Sequence, residues 1–203
     1  MTAPDSHARV VLTVPRGRGC MTFEFKPWPR TPRLFRGVTI TEKIDGTNCA
    51  VIVDEEGNVG AQSRNRIVTP AADNYGFAAW VEANAEALAD FLGVGYHYGE
   101  WWGQGIQRKY GMDRKVFSLF NVGRYEGIEE LSSGLLRTVP IVSSGPFSAD
   151  SVPSAMDILR DSGSLASPGF MNPEGIVVYH EDARQVFKVT FGGDLGKWEQ
   201  VAS

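Results

Sequence analysis

The chain has 203 residues, 42% hydrophobic, 11% aromatic and 22% charged, with a formal net charge of −4. That is enough apolar material for a buried core and excludes a disordered chain. No apolar run approaches the roughly 18 residues of a membrane span, and the N-terminus lacks the apolar stretch of a secretion signal. Cys20 and Cys49 supply neither a disulfide framework nor a four-ligand zinc site, so a reduced, cytoplasmic chain with no membrane association is expected. The charge is uneven. From Arg9 to Arg36 there are seven basic residues against the single acid Glu24, which leaves 13 basic and 23 acidic residues elsewhere. Such a strip suits phosphate contacts, and it suits a solvated arm equally well.

In chain order, residues 1–20 read as a weakly structured, flexible extension, with Pro4, Pro15 and an Arg-Gly-Arg-Gly run. A single catalytic-size domain is expected over 21–203. The segment 27–32, Pro-Trp-Pro-Arg-Thr-Pro, reads as an extended strap, because each proline biases its predecessor away from helix. Val38–Ile44 alternates apolar and polar residues, Cys49–Val53 is a short apolar run, and the turn 54–57 leads into Val59–Gln62: strand and hairpin signals. Phe77, Trp80, Val81, Leu88, Phe91 and Leu92 recur at helical spacing before Gly93, predicting one amphipathic helix over 73–92. Strands are expected at 95–101, 115–122, 175–180 and 185–191, the last two paired across the turn 181–184. A shorter helix near 153–161 has Ser151 as a cap and Gly163 as a stop. The sum is one α+β domain built on antiparallel sheets with flanking helices.

The segment Thr41-Glu-Lys-Ile-Asp-Gly-Thr-Asn48 is where chemistry enters. Lys43 at a strand end is followed two residues later by Asp45-Gly46, an amine beside a carboxylate and a tight turn, and the two side chains share a face if the strand continues. A lysine becomes a nucleophile only when its amine loses its proton. Alone, the string also describes an ordinary strand-to-turn junction with a surface ion pair. It is followed, in order, by Ser63-Arg64-Asn65-Arg66, Tyr98-Gly-Glu-Trp-Trp-Gly103, Phe117-Ser-Leu-Phe-Asn121, Glu174-Gly-Ile-Val-Val178 and Phe187-Lys-Val189. Any one of these has a bland reading: core strand for Phe117 to Phe120, loop charge for Arg64 and Arg66, packing for Tyr98, Trp101 and Trp102. Other chemistries lack support. His7, His97 and His180 have no partner at metal-ligand spacing, there is no P-loop or dinucleotide fingerprint, and no nucleophile-elbow serine occurs.

This ordered series, from about Arg33 to Phe191, resembles the covalent nucleotidyltransferase superfamily of ATP-dependent polynucleotide ligases and RNA capping enzymes. The string Glu-Lys-Ile-Asp-Gly-Thr-Asn looks most like the RNA ligase branch that includes the second phage RNA ligase and the trypanosome RNA-editing ligases. The resemblance implies a nucleotidyltransferase catalytic domain of ATP-grasp-like ligase type that uses ATP and Mg²⁺ or Mn²⁺. It implies that Lys43 attacks the α-phosphorus of ATP to give lysyl-AMP, that adenylate passes to a 5′-phosphate, and that a 3′-hydroxyl then closes the strand. By the same resemblance Lys188 serves the phosphates and Glu174 the metal or the nucleophile. Glu42, Asp45, Gly46 and Asn48 border the nucleotide, Arg64 (or Arg66) meets ribose or phosphate, Glu100 the ribose hydroxyls, and Phe120 (or Phe117) stacks on adenine.

Two features depart from the family pattern. Thr190 stands where ligases usually carry a second motif lysine, with Lys197 a candidate replacement, and Asn121 stands where many have Asp. Only 15 residues follow Lys188, so no C-terminal accessory domain is expected, and a helper protein or the basic segment 9–36 would then grip the substrate. RNA is the expected partner over DNA. A minimal DNA ligase, a capping guanylyltransferase and a nucleotide- or RNA-binding protein with degenerate catalysis are the other readings.

Overall fold

The computed structural model describes residues 11–16 and 19–193, in two compact units, residues 1–33 and 34–203. In the first, β1 (Val11–Arg16) and β2 (Gly19–Glu24) form an antiparallel hairpin, Val11 opposite Glu24 and Arg16 opposite Gly19. The sequence alone suggests an unstructured extension over 1–20. The hairpin replaces its second half, because Val11-Leu-Thr-Val14 and Cys20-Met-Thr-Phe23 are rich in β-branched and large apolar residues that suit paired strands. The proline strap within 25–33 carries neither helix nor strand. Arg9, Arg18 and Lys197 lie outside the described residues.

The second unit runs β3 (Gly37–Lys43), β4 (Thr47–Val53), β5 (Val59–Ser63), β6 (Ile67–Val68), α1 (Phe77–Ala83), α2 (Ala85–Leu92), β7 (Gly95–Gly103), β8 (Lys115–Leu119), α3 (Ile128–Leu131), β9 (Arg137–Thr138), β10 (Ile141–Pro146), α4 (Ser151–Ser162), β11 (Gly175–His180) and β12 (Gln185–Thr190). Two sheets form, in the orders β10-β3-β11-β12 and β6-β5-β4-β7-β8-β9. All pairings are antiparallel except β8 with β9. The fold is the α+β, antiparallel-rich architecture that the alternation of apolar residues predicts. Among the described residues no helix is long and apolar enough to cross a membrane.

Strand alternation gives each sheet two different faces. On the four-stranded sheet, Val38, Ile40, Ile176 and Val178 pack against Ala155, Met156 and Leu159 of α4. The opposite face carries Lys43, Thr41 and Lys188. On the six-stranded sheet, Val51, Trp101, Phe117 and Leu119 pack against Phe77, Val81, Leu88 and Leu92 of α1 and α2, and Asn48, Tyr98 and Glu100 occupy the other face. The strands β3 and β4 are consecutive yet belong to different sheets, so the turn Ile44–Gly46 crosses from one to the other. A third apolar cluster, Ile44, Trp102, Tyr110, Val116 and Val139, sits at that crossing.

The helix expected over 73–92 is two shorter ones. Its first turn is displaced because Tyr75 and Gly76 have φ of 56° and 80°, and the Asp73 carboxylate accepts the Ala78 and Ala79 N–H groups. It breaks at Asn84, whose side chain donates to the Trp80 carbonyl, the local bonding that makes Asn a poor interior helix residue. Ser151 is the first helical residue of α4 and accepts the Ser148 N–H through Oγ, while Asp150 holds the cap position. Gly163 ends that helix at φ 76°.

Candidate active site

The sequence around Lys43 folds as it does because three requirements meet there. Alternation puts Lys43 on the face opposite the α4 core, the strand ends, and the chain must then turn beside β7. Gly46 makes the turn possible: a Cβ there would lie 2.5 Å from the Trp101 carbonyl oxygen and 2.7 Å from Trp102 Cβ, closer than any side chain tolerates. Its N–H donates to Glu100 Oε1 at 3.0 Å, and Asn48 Nδ2 donates to Glu100 Oε2 at 2.6 Å. Buried in β7, Glu100 thus fastens the turn through both carboxylate oxygens. Burial pushes its carboxyl up to about 7, against the Asn48 bond and the Lys43 charge, with Glu174 adding to the rise.

Glu174 reaches Lys43 through sheet pairing. In the β3–β11 register Gly175 lies opposite Lys43, and the Glu174 Oε2 oxygen is 2.6 Å from Lys43 Nζ. Gly175 is required beside it, since its φ is 152° and a Cβ would fall 2.1 Å from the Val189 carbonyl oxygen. Across β11, Thr190 continues the Lys43–Gly175 row. Lys188 lies two residues back on the same face, opposite Val177, and is exposed. The departure at Thr190 therefore falls in the row of Lys43 itself.

Asp45 does not continue the strand face of Lys43. Its backbone N–H donates to the Tyr110 hydroxyl at 2.8 Å and its Oδ2 accepts Arg108 Nε at 2.9 Å. Arg108 Nη1 in turn donates to the Asn172 carbonyl at 3.2 Å and to its Oδ1 at 2.9 Å. One guanidinium thus ties the turn after Lys43 to the segment before Glu174, a fork geometry lysine cannot supply. Sequence reasoning missed Arg108, Tyr110 and Asn172; the signal was a run of Arg-Lys-Tyr inside a glycine-flanked loop directly after the Glu100 strand.

A cavity of about 270 Å³ opens on the exposed face of the six-stranded sheet, lined by Asn48, Cys49, Gln62, Ser63, Arg64, Tyr98 and Phe120. It brings together three expected residues, Asn48, Arg64 and Phe120, and adds Tyr98, Gln62 and Ser63. It also separates the paired alternatives. Phe117 is fully buried, with its ring 5.2 Å from that of Phe77, whereas Phe120 follows β8 and is 42% exposed. Arg66 donates to the Ala72 and Asp73 carbonyls, leaving Arg64 as the cavity arginine. Trp101 and Trp102 are core residues, as is the free thiol Cys49, which burial pushes up to about 12.

Glu42, expected to border the nucleotide, has its side chain engaged elsewhere. It is 1% exposed on the α4 side of β3, where it accepts Ser164 Oγ at 2.6 Å and the Leu165 and Ala166 N–H groups at 2.8 and 2.9 Å. Alternation with Lys43 turns it away from the cleft. Burial raises its pKa, and those three donors oppose the rise.

Among the described residues no group of three His, Cys, Asp or Glu side chains forms a metal cage. Glu174 and Glu100 are nevertheless hard oxygen donors beside Lys43, and the rise at Glu100 comes first from its burial. That donor set fits Mg²⁺ or Mn²⁺ held by one or two carboxylates, with water and phosphate completing the shell.

A family model described as RNA ligase matches residues 36–190. Among solved structures, RNA ligases of Naegleria gruberi are similar in fold. One solved with ATP and Mn is 19% identical, with a TM-score of 0.60 over 84% of this chain and 53% of its own. One in the apo state is 20% identical, with a TM-score of 0.59 over 82% and 52%. One with AMP and Mn is 20% identical, with a TM-score of 0.58 over 82% and 52%. The chain spans about half the length of these proteins. Comparison with curated proteins gives no match.

Proposed function

The chain belongs to the RNA ligase family, and on that premise we propose that it is an ATP-dependent polynucleotide ligase, acting on RNA in preference to DNA through a lysyl-AMP intermediate. The observation that carries the reading is the 2.6 Å contact between Lys43 Nζ and Glu174 Oε2 at the end of a strand that turns directly towards the Asn48–Arg64–Phe120 cavity.

In this mechanism Glu174 Oε2 accepts the Lys43 proton, and the neutral amine attacks the α-phosphorus of ATP. The nitrogen–phosphorus bond forms as the bond to the pyrophosphate oxygen breaks, leaving AMP on Lys43 as a phosphoramidate. Phe120 stacks on adenine, Arg64 meets ribose or phosphate, and Glu100 holds the turn and the ribose hydroxyls. Lys188, on the nucleophile's face, offsets the charge of the leaving phosphates. Glu174 and Glu100 are the groups that would hold Mg²⁺ or Mn²⁺, which supplies Lewis-acid charge neutralisation at the phosphates. The activated adenylate is then passed to a 5′-phosphate, and a 3′-hydroxyl displaces AMP. The proposal extends to an RNA-repair role in the cytoplasm, with the basic segment 9–36 or a helper protein gripping the strand; the free thiol of Cys49 is compatible with a reducing compartment.

The test is incubation with Mg²⁺ and ATP labelled at the α-phosphate. Label that survives denaturation on the wild type but not on Lys43→Ala is expected. A wild type stripped with pyrophosphate that still takes no label overturns the enzyme reading in favour of a nucleotide-binding role.

A further inference from the structure

The loop between β7 and β8, residues 104–114, is a basic segment near the cleft of an acidic chain. Over residues 104–115 it holds Arg108, Lys109, Arg114 and Lys115 against the single acid Asp113. Two of these cations are committed: Arg108 to Asp45 and Asn172, and Lys115 to the Tyr75 carbonyl at 2.7 Å. Lys109 and Arg114 are exposed and have no ion-pair partner among the described residues.

The loop is held in one shape. Ile106 and Tyr110 are its anchors, both essentially fully buried. The Tyr110 ring packs 5.1 Å from Trp102 and 4.6 Å from Phe170, and its carbonyl accepts Ser167 Oγ. Along this stretch Gln107, Lys109 and Tyr110 have φ of 42°, 62° and 51°. Such left-handed non-glycine residues persist only where surroundings over-determine them, and they collect at functional sites. Lys109 is flanked by the two residues that hold Asp45, so its position is fixed relative to the turn carrying Lys43. An exposed cation fixed in this way gains little for the fold and is pre-organised for an external anion.

We propose that this loop is a docking site for the phosphodiester backbone of the strand to be joined, with Lys109 and Arg114 as the phosphate contacts. The proposal rests on the ligase reading of the cleft for its biological sense, while the binding it describes needs no catalysis. Phosphate contacts position a strand without reading its bases, so the site serves RNA and DNA alike and places strand ends beside the nucleophile's turn.

The test uses the full chain and a 5′-phosphorylated single-stranded RNA, with a DNA of the same sequence, in fluorescence anisotropy across a salt series. Lys109→Gln, Arg114→Gln, the double variant and a control that removes a cation from α4, Arg160→Ala, are compared. Removing one cation from the phosphate backbone lowers the slope of log affinity against log salt by about 0.7 for single strands, so the double variant is expected to lose about 1.4 on both nucleic acids. Self-adenylation in the same preparations is expected to be unchanged. An unchanged slope in the double variant, a reduction no larger than that of the control, a loss confined to RNA, or a wild type that binds neither strand each overturns the proposal. Strand binding with the expected slopes and no adenylation in any protein removes the ligase reading and leaves the docking site standing.

Discussion

Glu100→Gln should make the protein more stable at pH 8 while impairing its use of ATP. The carboxyl of Glu100 has an ordinary pKa of 4.5 and sits near 7 in the fold, raised first by burial. A group whose pKa is raised on folding binds its proton more tightly in the native state, so stability falls as pH rises from 4.5 through 7. At about 1.4 kcal/mol per pH unit, the full penalty above pH 7 is about 3 kcal/mol. Glutamine removes the charge and keeps the shape: its oxygen still accepts the Gly46 N–H, and a turned Asn48 amide can accept from its NH₂. The Asn48 and Gly46 bonds are already contained in that raised value, so the net stabilisation stays at about 3 kcal/mol, or about 6–12 °C in melting temperature. Urea unfolding of both proteins at pH 5 and pH 8 reads the difference, because titrating groups that do not interact with Glu100 cancel. The gap is expected at pH 8 and to shrink towards zero by pH 5. A variant less stable at pH 8, or a gap independent of pH, refutes the assignment of a destabilising charge to this carboxylate.

Two further outcomes follow from burial. Phe117→Ala removes a fully buried ring and should cost about 3–5 kcal/mol, whereas Phe120→Ala should leave the melting temperature within a few degrees and raise the KM for ATP in the labelling assay; equal stability loss in both would contradict the separation of core ring from cavity ring. Glu42→Ala leaves Ser164, Leu165 and Ala166 without their acceptor and should destabilise the chain by about 2–4 kcal/mol. With protein folded at low temperature, the KM for ATP should be unchanged, and a selective rise in KM would return Glu42 to the nucleotide site.

The strand β3 was legible because alternation at 38–44 is a direct imprint of a half-buried sheet, and β11 because 175–180 is a short apolar run before a polar turn. The edge strand β10 was not, because Ile141-Val-Ser-Ser-Gly-Pro146 is mostly exposed, carries a register shift opposite β3 and so has no apolar rhythm. Helical spacing located α1 and α2 but could not show that the Asn84 side chain interrupts them. At the site, residue order placed Lys43 and Glu174 in the same motif series although they are 131 positions apart; the register of β11 on β3 is what brings them into contact. The direction of the Glu42 side chain was not legible in the motif string, which does not say which way each residue faces, whereas strand alternation does. The restraints on Asp45 were invisible for another reason: Arg108 and Tyr110 reach it from a distant loop, with Asn172 bonded to Arg108, and no local pattern encodes a tertiary hydrogen bond.

The apolar cluster at the crossing of the sheets has a mechanical consequence. Ile44 is buried against Trp102, Tyr110, Val116 and Val139, and it is the residue immediately after Lys43. The turn after Lys43 is therefore anchored to the six-stranded sheet and its loops by a cluster of large side chains. Movement of that turn would have to deform the cluster, which interior packing resists. On the proposed ligase reading, adaptation to ATP, to lysyl-bound AMP and to a strand end would fall to side-chain rotamers such as those of Lys188, Arg64 and Phe120, while the turn after Lys43 keeps its place.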